Sequence, residues 1–175
     1  FFGSIDMTRA EAFFQEMCGK RVAICGIGTN NTPVVLQFLQ AGAHVIACDR
    51  RSKEELGETA IVLKNAGAEL CLGEGYLDHL DVDLILRTPG MKPYLPEFIA
   101  ARDRGITVTS EMELFFELCE APIYAVTGSD GKTTTTTLTH KILEDAGFNV
   151  GLGGNIGKSF ALSVATEDKD WYVLE

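Results

Sequence analysis

Basic residues are in short supply: 15 Lys and Arg stand against 25 Asp and Glu, leaving a formal net charge of −10. A surface so anionic repels phosphate backbones and acidic headgroups, so neither nucleic acid nor a membrane is expected as partner. Long hydrophobic runs are missing too, since nothing approaches the ~18 consecutive apolar residues of a bilayer-crossing helix. The start, Phe1-Phe2-Gly3-Ser4-Ile5-Asp6, lacks the basic flank and apolar core of a secretion signal. Cysteine is limited to Cys18, Cys25, Cys48, Cys71 and Cys119, an odd number without a C-x-x-C pair. That usage fits buried free thiols in a reducing compartment better than disulfide or metal roles, so the cytoplasm is the expected location. His44, His79 and His140 show no metal-ligand spacing and are expected to be structural. An initiator Met is absent, and Trp171-Tyr172-Val173-Leu174-Glu175 reads as a strand stopped in progress, so a fragment of a longer protein is expected.

What is abundant is glycine, 18 residues, and it punctuates alternating short strands and helices. Apolar spacing predicts a helix over about 5–17, then a buried strand 21–25 running into Gly26-Ile27-Gly28-Thr29-Asn30-Asn31. Thr32 as N-cap and Pro33 at the first helical position predict a helix to Gln40. Strand 44–48, helix 53–65, and strands 69–72 and 84–86 follow, the last delivering Arg87-Thr88-Pro89-Gly90. A helix opened by Pro96 and a strand 106–108 precede Ser110-x-x-Glu113, a capping-box spacing that starts helix 111–119. This alternation predicts an α/β fold: a Rossmann-like, doubly wound parallel sheet. Loops after its strands belong at the carboxyl edge, where such sheets bind ligands. Cys119–Pro122 is the expected boundary, giving a first domain over 1–119 and the beginning of a P-loop-type α/β domain over 120–175.

The second domain opens on the most telling stretch. The apolar run Ile123–Val126 leads into Thr127-Gly128-Ser129-Asp130-Gly131-Lys132-Thr133-Thr134, and helix 134–146 follows. Strand, glycine turn, lysine, hydroxyl, helix is the order of a phosphate-binding loop. Backbone N–H groups face the phosphates, the lysine adds charge, and the next hydroxyl can hold Mg²⁺. The full pattern asks for glycine at 126, where valine stands. A solvated helix-start lysine is the other reading, but a cation in a first turn opposes the helix dipole, so an anion partner explains Lys132 better. Asp130 beside phosphates must point away, pair with Lys132 or reach the metal. Val150–Gly157 reads as a glycine-rich loop where backbone comes close to something, with Asn155 offering donor and acceptor. Glu175, ending a strand beside the lysine loop, could complete a Mg²⁺ site with Thr133.

Gly26-Ile27-Gly28 with Asp49 downstream is the start of a dinucleotide fingerprint, but Asn31 replaces its third glycine, which predicts a more open loop. Arg50 and Arg51 beside Asp49 could hold a phosphate or stack on a base. A plain βα turn with a solvated charge cluster is the other reading of these residues.

Taken together, the lysine loop, Gly153-Gly154-Asn155-Ile156-Gly157, the Gly26-x-Gly28 loop with Asp49-Arg50-Arg51, and Thr88-Pro89-Gly90 resemble the Mur ligases. These are the cytoplasmic amide-forming ATPases of peptidoglycan synthesis, and the resemblance runs from about residue 20 to the end. The G-G-N-I-G stretch points to the branch that adds D-glutamate to UDP-N-acetylmuramoyl-L-alanine. The resemblance implies that Thr29, Asn30, Asp49, Arg50, Arg51, Thr88, Pro89 and Gly90 surround the UDP, with Asn155 near the muramoyl part. It implies ATP on Gly128, Ser129, Asp130, Gly131, Lys132, Thr133 and Thr134, with Lys132 as the catalytic residue and Mg²⁺ on Thr133 and Glu175. Asp130 departs from the commoner asparagine, which puts the adenosine-side contacts in doubt. The D-glutamate site falls beyond Glu175, a monomer is expected, and the fragment alone is expected to be inactive. Two rival functions use the same residues: a nucleotide-sugar-binding module without catalysis, and an NADP-dependent oxidoreductase using Arg50 and Arg51.

Overall fold

The computed structural model describes residues 7–28, 31–78, 80–154 and 167–175. They form two compact units: Ala12–Leu114, and Phe115–Glu175 together with the chain start up to Glu11.

In the unit Ala12–Leu114, five strands make one parallel sheet: β1 (Arg21–Cys25), β2 (His44–Asp49), β3 (Glu69–Leu72), β4 (Leu84–Arg87) and β5 (Thr107–Ser110). Their order is β3-β2-β1-β4-β5, every pair parallel. The chain winds outward from β1 in one direction, then returns to the other side of it through β4. That reversal makes the β1/β4 edge the switch point, where the loops after the two strands diverge and leave a crevice. The sequence supports this placement. Residues 22–25 and 45–49 are consecutively buried, as central parallel strands covered on both faces must be. The core joins Ala23, Cys25, Ile46, Cys48 and Ile85 of the sheet to Phe98 and Ala101 of α5 (Pro96–Asp103). On the other side, Phe38 of α2 (Thr32–Gln40) is wholly buried and meets Phe13 and Phe14 edge-on.

Several local expectations are corrected. The first helix, α1, runs only Arg9–Glu16. Asn31, not Thr32, is the N-cap of α2; the Thr32 hydroxyl instead donates to the Gly28 carbonyl at 3.2 Å. The expected helix 53–65 is two, α3 (Lys53–Leu56) and α4 (Glu58–Asn65), because Gly57 between them sits at φ 54°, outside helical space. A full capping box opens α3, where Ser52 and Glu55 each take the other's backbone N–H. At α6 (Glu111–Leu118), the Ser110 hydroxyl accepts from Glu113 N at 3.3 Å, and the Glu113 carboxylate also accepts from the Thr109 hydroxyl at 3.5 Å and pairs with Arg87. Among the cysteines, Cys25 and Cys48 are buried, Cys71 and Cys119 are half-buried, and Cys18 is exposed.

The second unit carries β6 (Ile123–Ala125), α7 (Lys132–Asp145), β7 (Val150–Gly153) and β8 (Trp171–Leu174). The strands form a parallel sheet in the order β6-β8-β7. Val150–Gly153 is thus a strand where the glycines predicted a loop. The reason is steric. A Cβ on Gly151 would overlap the Tyr172 ring, and one on Gly153 would meet Leu174 at 3.0 Å, so glycine lets β7 lie against bulky side chains of β8. Helix α7 starts at Lys132 rather than 134. Among the described residues no helix is long and apolar enough to cross a membrane.

Candidate functional site

In the unit Ala12–Leu114, the loops after β1, β2 and β4 converge on a cavity of about 470 Å³, within the range of small-molecule sites. Gly26, Ile27 and Gly28 form one wall, Asp49, Arg50 and Arg51 another, and Thr88, Gly90 and Met91 a third. Pro89 does not line it; Thr29 and Asn30 lie outside the described residues, as does Asn155 further along the chain.

The three walls are bolted together. Gly26 sits at φ 91°, and a Cβ there would lie 2.5 Å from the Thr88 methyl, so only glycine allows the first loop to pack on the third. Gly26 N donates to Cys48 O at 2.8 Å, and Thr88 N to Cys25 O at 2.9 Å, continuing the sheet's hydrogen bonding into the loops. Asn31, 7% exposed, donates its side-chain N–H to the Gly26 carbonyl at 2.6 Å. The residue in place of the third glycine therefore ties the two described ends of the loop, Gly26 and Asn31, to each other.

Asp49 is the centre of this arrangement. One carboxylate oxygen, Oδ2, accepts from Ile27 N at 2.7 Å and Arg51 Nη2 at 2.9 Å. The other, Oδ1, accepts from Arg51 N at 2.9 Å and Arg51 Nε at 3.0 Å. Arg51 Nη2 also donates to the Ile27 carbonyl. Burial would raise the Asp49 pKa, but the hydrogen bonds from Arg51 and Ile27 outweigh it and hold the carboxyl below the usual aspartate value. Behind the third wall, the mostly buried Arg87 donates to the Met91 carbonyl at 3.3 Å and pairs with Glu113 at 3.5 Å. The Ser110 hydroxyl, together with Arg87, keeps Glu113 below the ordinary glutamate range.

Tyr76 also lines the cavity, and neither it nor Met91 was singled out by sequence. Gly73-x-Gly75 directly after β3 was the available signal: a glycine turn at the carboxyl end of a parallel strand, like those after β1 and β4.

The second unit holds the lysine loop. Residues 127–131 are exposed, and Gly131 caps α7 in the left-handed conformation at φ 74° without a side-chain cap. Among the described residues, nothing lies within 4 Å of where a Cβ on Gly128 or Gly131 would stand. Among the described residues, the backbone N–H groups of Gly128–Gly131 find no acceptor. Lys132 folds back, its ammonium donating to the carbonyls of Gly128 at 2.7 Å and Ser129 at 3.3 Å rather than to Asp130. Open N–H groups, a helix N-terminus and one ammonium in the same turn form an anion cradle.

Beside it, the Thr133 hydroxyl donates to Glu175 Oε1 at 3.3 Å. The pairing of β6 with β8 explains this proximity, because Val126 N continues the ladder onto Leu174 O at 2.8 Å. Glu175 is held by its N–H on the Gly153 carbonyl at 3.1 Å, and Gly154, at φ 96°, leaves room for the Glu175 backbone where any side chain would collide. Glu175 Oε2 is buried and has no partner among the described residues. A buried carboxylate oxygen beside a hydroxyl is the donor set a hard divalent cation takes. Thr136, the buried residue of α7, likewise has no partner for its hydroxyl among the described residues.

An α/β protein with a switch-point cavity in one unit and a lysine-bearing anion cradle in the other is the class these observations define. Residues 126–175 match the model of the Mur ligase middle domain. Over 170 residues the chain is 45% identical to a UDP-N-acetylmuramoylalanine–D-glutamate ligase of Acetivibrio thermocellus, covering 96% of this chain and 36% of that protein. A protein of the same name from Ruminiclostridium cellulolyticum is 47% identical over 150 residues, 85% of this chain and 32% of its own length. Among solved structures, the murein peptide ligase Mpl of Psychrobacter arcticus shares the fold at a TM-score of 0.51 and 24% identity, over 89% of this chain and 37% of that one. The chain belongs to the Mur ligase family. It spans about a third of the length of the curated relatives it matches.

Proposed function

We propose that this chain is the substrate-binding and leading ATP-binding portion of a ligase that joins D-glutamate to UDP-N-acetylmuramoyl-L-alanine in the cytoplasm. In this reading, residues 1–119 form the UDP-substrate domain and 120–175 open the central ATP-binding domain. The observation that carries the ATP half is the Thr133–Glu175 pair with its unpartnered buried oxygen, set beside the open N–H cradle of Gly128–Gly131. The relatives' names carry the substrate half.

The residues divide the work as follows. The UDP lies in the cavity against Asp49, Arg50, Arg51 and the turn Thr88–Gly90, its diphosphate balanced by guanidinium charge. The ATP phosphates lie on the N–H groups of the lysine loop. Lys132 leaves its two carbonyl acceptors for a phosphate oxygen, exchanging neutral partners for an anionic one. Thr133 and Glu175 would hold a Mg²⁺, which supplies charge neutralisation of the transferring phosphoryl group. The substrate carboxylate takes the γ-phosphoryl from ATP and becomes an acyl phosphate, ADP leaving as the bond between the γ-phosphorus and the β–γ bridging oxygen breaks. The deprotonated D-glutamate amine then attacks the carbonyl, and phosphate and a proton leave as the amide forms. The chain's contribution is alignment and a fixed positive field, the main terms in phosphoryl transfer. The amine-bearing substrate binds in the remainder of the full-length enzyme, so this chain by itself binds ligands without turning over.

Calorimetry on the chain with UDP-N-acetylmuramoyl-L-alanine, ATP–Mg²⁺ and NADPH tests the reading. Heat with the first two and none with the third is expected; heat with NADPH alone would overturn it. ATP-dependent ligation of D-glutamate by this chain would refute the division of labour.

A further inference from the structure

The cavity's obvious acid is already spent. Both Asp49 oxygens are engaged by N–H donors of Ile27 and Arg51, and Arg51 is committed to Asp49 and the Ile27 carbonyl. Asp49 is 5% exposed, so a ligand meets little of it. What remains for recognition are groups without a commitment.

Arg50 is exposed, lines the cavity, and makes no hydrogen bond or ion pair with a described residue. Tyr76 is the second such group. Its ring packs on the core cluster that holds Cys25 and Cys48 while also lining the cavity, and it is only half-buried. Its hydroxyl has no hydrogen-bond partner among the described residues. A tight turn sets the ring there: Asp78 N donates to Gly75 O at 2.9 Å, Gly75 sits at φ 74°, and the Asp78 carboxylate lies 2.5 Å from where a Gly75 Cβ would be. Burial pushes the phenol's pKa up, and among nearby charges Asp49 adds to this while Arg50 opposes it, which places the hydroxyl in the field of that wall.

We propose that Tyr76 is a ligand-contacting specificity residue of this cavity, its ring the stacking wall for the nucleobase, with Arg50 facing the diphosphate and the Asp49–Arg51 pair acting as a strut that positions both. A planar face backed by core, with an adjoining uncommitted cation, suits a nucleoside diphosphate: the base gains stacking and the phosphates gain charge. This inference rests on the reading of the cavity as a uridine diphosphate site.

Titration of the chain and its variants with UDP and with inorganic pyrophosphate tests it. Tyr76→Ala is expected to weaken UDP binding about tenfold, leaving pyrophosphate unchanged, while Tyr76→Phe stays within about twofold of the parent. Arg50→Ala is expected to weaken both ligands. If Tyr76→Ala does not fold, Tyr76→Leu keeps the apolar bulk without the aromatic face and carries the same expectation. UDP binding unchanged by loss of the ring overturns the inference while the cavity reading stands. Equal loss of UDP and pyrophosphate on replacing Tyr76 makes it a scaffold residue and also overturns it. A parent chain that binds pyrophosphate but not UDP overturns the cavity reading itself.

Discussion

The two glycine turns of this chain share a plan and differ in how they are held. Each follows a parallel strand and precedes a helix. The turn at Gly26–Gly28 is locked from three sides: by Asp49 on Ile27 N, by Asn31 on the Gly26 carbonyl, and by the Thr88 methyl against Gly26. Among the described residues, the turn at Gly128–Gly131 is exposed, has open space around its glycines, and is crossed only by its own lysine. A locked turn presents a finished cavity. An open one presents unfilled donors, and its last ligand must come from outside. Binding at the first should therefore depend on internal struts, and at the second on the groups that touch the ligand.

The sharpest break in this comparison is Lys132→Ala. It removes the only cation of the open turn and is expected to weaken ATP–Mg²⁺ binding about a hundredfold, with little change in thermal stability. Unchanged ATP affinity in a titration of this variant would show that Lys132 serves its own carbonyls only. Next is Asp49→Ala, which orphans the Ile27 N–H and the Arg51 guanidinium. Denaturant unfolding should show a loss of about 2 kcal/mol, accompanied by loss of UDP binding. If Arg51 finds another acceptor, stability stays at the parent level and the strut is dispensable. The glycines give a matched pair. Gly26→Ala meets Thr88 as well as an unfavourable φ and should cost about 2 kcal/mol, whereas Gly131→Ala meets only the φ and should cost about 1 kcal/mol. Equal losses in melting experiments would mean the locked turn relaxes freely.

The smallest effect is on pH dependence. Asp49 and Glu113 have pKa values lowered by folding. Their stabilisation is fully present above the ordinary carboxylate values near pH 4 and is lost as pH falls through the lowered folded values. Acid unfolding followed by near-ultraviolet circular dichroism should thus steepen below about pH 4. Asp49→Asn should flatten that limb, and an unchanged acid limb would assign the effect elsewhere.

Much of the fold was legible in the residues because parallel strands announce themselves. Val22-Ala23-Ile24-Cys25 and Val45-Ile46-Ala47-Cys48 are unbroken apolar runs, and Pro33 and Pro96 mark helix starts. The failures have physical causes. Gly57 was overlooked as a break because glycine's cost in a helix is modest until φ turns positive. Val150–Gly153 looked like a loop because its glycines answer to Tyr172 and Leu174, some twenty residues away, and strand partners cannot be seen in a local window. The cavity was half legible. Its loops and charges were visible as motifs, but Tyr76 and Met91 enter only through packing.

By itself, then, the sequence determined the alternation of elements, the two glycine turns, the placement of Lys132 at a helix start, and the excess of acid. These are local matters of propensity, spacing and charge. The tertiary structure decided which groups are spent and which are free. Asp49 became a strut because folding brings Ile27 N–H onto it, and Glu175 came beside Thr133, with one oxygen bare among the described residues, because β8 pairs next to the lysine loop. Commitment of a polar group depends on neighbours distant in the chain, and only the packed sheet brings them within hydrogen-bond reach.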